Sequence, residues 1–249
     1  MRSVMRRVGH LANRALRPMG IELRGIIPPY TGERNDPIFA RVKGITATSR
    51  ERVFVLCDAI DHVVRNGIGG AFVECGVWQG GSSMAAALAL LRAGAGNREM
   101  HLFDTFEGMP PPTHHDKVAS SGEAALHEWK GNPFCYAPME QVWNNVASTG
   151  YDMLRVRFHK GMVERTLPAE APPTIAVLRL DTDWYESTKH ELECLWPNVS
   201  PGGFVLIDDY GHFTGARKAV DEFFGDRTFL FRIDYSGRLV MKSRSQDAL

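Results

Sequence analysis

Two apolar runs that each end abruptly in carboxylates constrain this chain more than any other feature. One is Ile175-Ala176-Val177-Leu178-Arg179-Leu180, followed by Asp181-Thr182-Asp183. The other is Gly203-Phe204-Val205-Leu206-Ile207, followed by Asp208-Asp209. Short apolar runs bounded in this way read as buried strands of a parallel sheet. Strand ends on one edge of such a sheet lie side by side, so these acids would converge at the carboxyl edge, where open α/β folds place their ligands. Gathered carboxylates repel unless a cation sits among them, and their oxygens are hard donors suited to Mg²⁺ or Ca²⁺. The pattern predicts a divalent-metal site with Asp181, Asp208 and Asp209 as ligands.

The rest of the chain supplies more strands and the helices between them. Thr48-Ser49-Arg50-Glu51 reads as a capping box for a helix that carries Val53, Leu56, Cys57, Ile60, Val63 and Val64 on one face. Residues 70–76 and 100–104 read as buried strands, with an Ala/Leu helix from about residue 84 to 92 between them. Residues 154–158 alternate as a third strand, and residues 138–149 read as helical. Helices are expected from about 187 to before Pro197 and from about 214 to 224. Two strands at 229–233 and 239–241 close the chain as a hairpin. About seven strands alternating with helices imply a doubly wound, Rossmann-like α/β domain over residues 46–249, mostly parallel, with an antiparallel edge strand from the hairpin. Residues 105–150 are too long for an ordinary connection and read as a lid or substrate wall. Residues 25–45, with Pro28-Pro29 and Asp36-Pro37, read as irregular.

The formal net charge over 249 residues is zero, so nothing global points to nucleic acid. The N-terminus is the exception, with six arginines against a single glutamate in residues 1–25. Val4, Val8, Leu11, Ala12, Ala15 and Leu16 recur there at helical spacing. A short basic amphipathic helix in an N-terminal extension, residues 1–45, is expected. It suits packing against a second copy in a homodimer or peripheral contact with a membrane surface. The four cysteines, Cys57, Cys75, Cys135 and Cys194, form no CxxC pair. A zinc site is therefore not expected, and Cys57, Cys75 and Cys194, in apolar patterns, read as reduced core residues of a cytoplasmic protein. No apolar run approaches membrane-spanning length.

Three constellations carry chemistry. Glu74-Cys75-Gly76 joins a strand to a glycine-containing loop and a helix, but Glu74 stands at the first glycine position of the dinucleotide fingerprint. An acid there suits a cationic or zwitterionic ligand such as an amino-acid moiety. Asp104 ends the next strand, where a carboxylate can accept hydrogen bonds from ribose hydroxyls. Together, Glu74, Gly76 and Asp104 suggest S-adenosylmethionine. Next to the metal ligands, Asp183 has its side chain free to act as general base toward a hydroxyl acceptor. His212 is a further candidate as base or substrate contact. Trp184 and Tyr185 could wall an acceptor pocket, while His114 and His115 read as lid surface.

Stretches from about residue 45 to 225 resemble the macrocin O-methyltransferase family, whose members methylate sugar hydroxyls of antibiotics with S-adenosylmethionine and Mg²⁺. They are Thr46-Ala47-Thr48-Ser49 with Glu51-Arg52, Val73 to Gly81, Asp104 to Pro111, His159-Lys160-Gly161 with Thr166-Leu167-Pro168, Leu178 to Thr188, and Ser200 to Gly211. The resemblance implies a class I methyltransferase. It also implies cofactor contacts at Thr46, Glu74, Gly76, Gly80, Ser82 and Asp104, Mg²⁺ at Asp181, Asp208 and Asp209, and a base at Asp183. The acceptor would be a glycosylated natural product or a glycan. Thr182 stands where the family usually has glycine. Three other functions fit parts of the pattern. They are a catechol-type O-methyltransferase, a metal-dependent glycosyltransferase using Asp181-Thr182-Asp183, and a non-catalytic scaffold.

Overall fold

The computed structural model describes residues 34–127, Trp129 and residues 135–243. The N-terminal amphipathic helix expected over residues 4–16 lies outside the described residues.

The first described element is α1 (Asp36–Val42), a helix inside the stretch expected to be irregular. Pro37 lies in its first turn, where a missing N–H costs nothing and the fixed φ suits helix. Ile38 and Val42 are buried in the main core. In α2 (Arg50–Arg65) the cap is Ser49, whose side chain accepts from the Arg52 amide at 3.2 Å. The expected reciprocal box with Glu51 is replaced by this single cap, because Arg52 rather than Glu51 occupies the third helical position.

The strands are β1 (Ala71–Cys75), β2 (Met100–Asp104), β3 (Val156–Lys160), β4 (Ile175–Leu180), β5 (Val199–Ile207), β6 (Phe231–Arg232) and β7 (Arg238–Met241). Between them run α3 (Gly81–Arg92), α4 (Met139–Ala147), α5 (Val163–Thr166), α6 (Tyr185–Leu195) and α7 (Thr214–Phe224). Strand β3 starts two residues later than expected. The Asp152 side chain accepts from the Leu154 amide at 3.0 Å and turns the chain there. Helix α3 starts earlier than expected and takes Ser82 and Ser83 into its first turn.

The sheet order is β3-β2-β1-β4-β5-β7-β6. The first five strands are parallel, and β7 lies antiparallel to both β5 and β6. The sheet is doubly wound, as its sequence implied, with β7 filling the place beside β5 and β6 forming the edge. Alternate strand residues face opposite sides. Phe72, Leu102, Val177 and Phe204 join a core with α2 and α3, and Val73, Phe103, Leu178 and Val205 join another with α6 and α7. Burying each such side chain contributes about 1.5–3 kcal/mol, so the sheet is a rigid platform for whatever its ends carry.

The chain winds to one side of β1 through β2 and to the other through β4, so the crevice at the carboxyl ends of β1 and β4 is the switch point of the fold. The two ends approach closely. Gly76 has φ +81°, and a Cβ there would come within 2.0 Å of the Asp181 carbonyl oxygen. The insertion after β2 is pinned over this edge. Trp184 donates its indole N–H to the Pro110 carbonyl at 2.9 Å. The Tyr185 amide donates to Asp116 Oδ1 at 2.9 Å, and Val118 bridges Phe213. The described part of the insertion is therefore a fixed wall. No helix among the described residues is long and apolar enough to cross a membrane.

Candidate active site

The carboxyl edge opens into a cavity of about 360 Å³, within the ~300–1,000 Å³ range of small-molecule sites. Thr46, Gly76, Ser82, Asp104, Asp181, Asp183, Asp208 and Asp209 all border it, as do Thr182 and His212. Its far wall is apolar, with Met109, Pro110, Trp129, Trp184 and Phe213. Two of the residues implied as cofactor contacts are not on the cavity wall. Glu74 is 1% exposed and gives its carboxylate to Arg179 and Ser83. Gly80 sits at the cap of α3, against Val142.

Arg179 organises the acids. Its guanidinium is buried and lies 2.7 Å from Glu74 Oε1, 2.7 Å from Asp181 Oδ2 and 2.8 Å from Asp208 Oδ1. Burial by itself would lower its pKa, but Asp181, Asp208 and Glu74 outweigh that and hold it well above the ordinary value. Arg52 comes from α2 to pair with Asp208 and, at 3.0 Å, with Asp234 of the β6–β7 turn. Thr48 donates to Asp208 Oδ1 at 3.1 Å. Sequence reasoning missed both arginines. A charge inside the otherwise apolar β4 was the available signal for Arg179. Arg52 gave none, because its partners lie far along the chain.

Asp181, Asp208 and Asp209 each offer an oxygen within 4.8 Å of the others, a spacing that one cation can bridge. Asp183 takes a left-handed backbone, φ +66°, and hydrogen-bonds Asp209. Burial, with Asp181 next, pushes the Asp183 carboxyl up to about 8. Burial also holds Asp181 and Asp209 well above the usual carboxylate range, and the neighbouring acids add to it. Two arginines therefore leave the cluster short of positive charge.

Asp104 is used differently. It accepts from the amides of Val77 at 2.6 Å, Trp78 at 2.9 Å and Phe106 at 2.7 Å. It shapes the loop after β1, with the Thr105 hydroxyl also 3.5 Å from its Oδ1. On the acceptor side, the His212 ring packs edge-on against Phe213 and Tyr235. Trp184 is buried at the cavity wall. Tyr185 turns away and donates its hydroxyl to Glu222 at 2.7 Å. His159 hydrogen-bonds His101 and Glu170, and His115 packs on Tyr185. Cys57 and Cys75 are buried thiols, Cys194 is half-buried, and Cys135 is exposed at the cavity rim.

A sheet of this order, with a ligand cavity at its switch point and acids on its strand ends, matches solved methyltransferases. The O-methyltransferase NovP superposes with a TM-score of 0.72 at 27% identity, covering 86% of this chain and all of that one. The protein is a class I, Rossmann-like S-adenosylmethionine-dependent O-methyltransferase. A family model described as macrocin O-methyltransferase (TylF) matches residues 32–239, and the chain belongs to that family. It is 40% identical over 180 residues to the 8-demethyl-8-(2,3-dimethoxy-alpha-L-rhamnosyl)-tetracenomycin-C 4'-O-methyltransferase of Streptomyces olivaceus, covering 72% of this chain and 67% of that protein. It is 32% identical over 178 residues to the mycinamicin III 3''-O-methyltransferase of Micromonospora griseorubida, covering 72% and 69%.

Proposed function

We propose that the protein moves the methyl group of S-adenosylmethionine to a hydroxyl on the sugar of a glycosylated small molecule, with Mg²⁺ held by Asp181, Asp208 and Asp209. The observation that carries this reading is the convergence of four aspartates with Gly76 and Asp104 on one cavity. The S. olivaceus relative is named for a rhamnosyl-bearing acceptor, and the apolar wall of Trp129, Trp184 and Phe213 suits the body of such a molecule.

The donor set fits a hard dication, being three carboxylates with oxygens inside 4.8 Å and too little positive charge among them. When bound, Mg²⁺ would lower the pKa of an acceptor hydroxyl and keep the surrounding carboxylates ionised. The remaining steps belong to the chain. Gly76, Val77, Thr46 and Ser82 line the part of the cavity where the cofactor would lie, and Asp104 borders it at the end of β2, where a ribose hydroxyl would meet its carboxylate. S-Adenosylmethionine, when bound, would supply an electrophilic methyl group, whose transfer to the acceptor oxygen would return the C–S electron pair to sulfur and release S-adenosylhomocysteine. Asp183 takes the hydroxyl proton. Such a displacement depends chiefly on alignment, which the fixed insertion wall and the rigid sheet provide.

A methyl-transfer screen against glycosides and their aglycones, with and without Mg²⁺, tests this. Methylation of a glycoside that requires Mg²⁺ and is absent with the bare aglycone is the expected result. Transfer to phenols alone, or full activity in excess chelator, would overturn it.

A further inference from the structure

Glu191, on α6, is fully buried, yet the groups that act on its carboxyl are Thr182, Glu164, Asp209 and Cys75, none of them cationic. Oε2 accepts a hydrogen bond from Thr182 Oγ1 at 3.1 Å. Oε1 is buried without a partner of its own, and the Cys75 thiol is the second hydrogen-bond neighbour of the carboxyl, itself uncharged. A buried carboxyl with no counter-ion is costly and is held in its neutral form by that burial. An apolar side chain of similar volume would fill the same space without that cost. Packing of α6 therefore does not account for an acid at this position.

Its contact with Thr182 does. Thr182 is the first residue of a strained turn centred on Asp183. Asp183 is left-handed at φ +66°, and the Trp184 amide donates back to the Thr182 carbonyl at 2.7 Å. A non-glycine residue in that conformation persists only where its surroundings over-determine it. The upstream end is held by the Asp181 amide on the Cys75 carbonyl at 2.9 Å. The downstream end is held by Trp184 on Pro110 and by Tyr185 on Asp116. The Thr182 hydroxyl on Glu191 secures the residue whose carbonyl closes the turn, and a glycine at 182 could not make this bond.

We propose that Glu191 is a positioning residue for the methyl-transfer site, acting through Thr182 to pin the turn that aims Asp181 and Asp183 into the cavity. The inference rests on the reading of Asp181 as a metal ligand and Asp183 as base. Outer groups that orient metal ligands contribute about 10–100-fold to metal affinity, which makes Mg²⁺ itself the probe.

The test titrates MgCl₂ into the full chain by calorimetry, alongside S-adenosylhomocysteine binding and thermal melting, for Glu191→Met, Glu191→Gln, Thr182→Val, the Glu191→Met/Thr182→Val pair and Asp208→Ala. Glu191→Met and Thr182→Val are each expected to weaken Mg²⁺ by about tenfold. The double variant should be no weaker than either single one, since both break the same link. Glu191→Gln keeps an acceptor oxygen and should restore affinity to within about threefold of wild type. S-Adenosylhomocysteine affinity should not change, and Glu191→Met should melt no lower than wild type because it removes an uncompensated buried acid. Wild-type Mg²⁺ affinity in Glu191→Met, with Asp208→Ala losing the ion, would overturn the positioning role alone. A loss in Glu191→Met that follows a lowered melting temperature and is shared by Glu191→Gln would do the same. Undiminished Mg²⁺ binding in Asp208→Ala would overturn the metal site and the positioning role together.

Discussion

The two halves of the carboxyl edge carry the same kind of residue and pair it to different extents, although burial raises Glu74 as well and Asp208 in the second half is held by Arg52 and Arg179. At the ends of β1 and β2, Glu74 and Asp104 are consumed by the protein, Glu74 by Arg179 and Ser83 and Asp104 by three backbone amides. At the ends of β4 and β5, Asp181, Asp183 and Asp209 crowd one another, and burial drives each of them toward its protonated form. A satisfied acid is architecture, whereas a cluster of acids short of counter-charge is poised for a cation or a proton. The first half should therefore reveal itself in stability and the second in rate.

The largest expected effect falls on the second half. Asp183→Asn removes the proposed proton acceptor and should lower kcat by about 10²–10⁴-fold, while S-adenosylhomocysteine binding by calorimetry stays at the wild-type level. A kcat within a few-fold of wild type would remove Asp183 from the chemistry. The mirror experiment is Glu74→Ala. It removes one of the three carboxylates on the buried Arg179 guanidinium and the acceptor of the Ser83 hydroxyl, and should cost about 3–5 kcal/mol in denaturant unfolding. An unchanged unfolding midpoint would show that Arg179 is held well enough by Asp181 and Asp208 alone.

This division also marks how far the sequence can be read. The apolar runs with acidic ends gave away β4 and β5, because a fully buried strand has no other way to write its end. The fold class and the convergence of Asp181, Asp208 and Asp209 followed from that. The fate of Glu74 did not, since its direction depends on strand order. Glu74 and Arg179 are register neighbours between β1 and β4, so a cross-strand ion pair follows once those strands are adjacent. Nothing local to either residue says that they are. Asp36-Pro37 failed in the opposite way, as proline looks like a breaker until its place in the first turn of α1 is known.

The pH response tests the shortage of positive charge directly. Asp183 rises from an ordinary 3.8 to about 8, so folding favours its protonated form. That contribution to stability is complete below about pH 4 and is lost as pH climbs toward about 8. Asp181 and Asp209 shift in the same direction for the same cause, burial. Melting with chelator present should therefore fall across this window. Added Mg²⁺ should raise the melting temperature more at pH 8 than at pH 5, and Asp183→Asn should flatten the chelator curve. A metal-free protein that becomes more stable from pH 5 to 8 would mean that Arg52 and Arg179 already neutralise the cluster.

Asp104 is the finest test of the comparison, because it stands in both halves of the argument. It borders the cavity yet spends most of its oxygens on the amides of Val77, Trp78 and Phe106. Asp104→Asn retains one acceptor oxygen and points an NH₂ group at donors that had been satisfied. The expected cost is about 1–3 kcal/mol of stability. The loop after β1 would loosen, so KM for S-adenosylmethionine should rise while kcat stays near wild type, the pattern of lost ground-state binding. If kcat instead fell as steeply as in Asp183→Asn, an acid already occupied by the backbone would be acting in the transition state. Hydrogen-bond saturation would then no longer separate the architectural acids of this edge from the reactive ones.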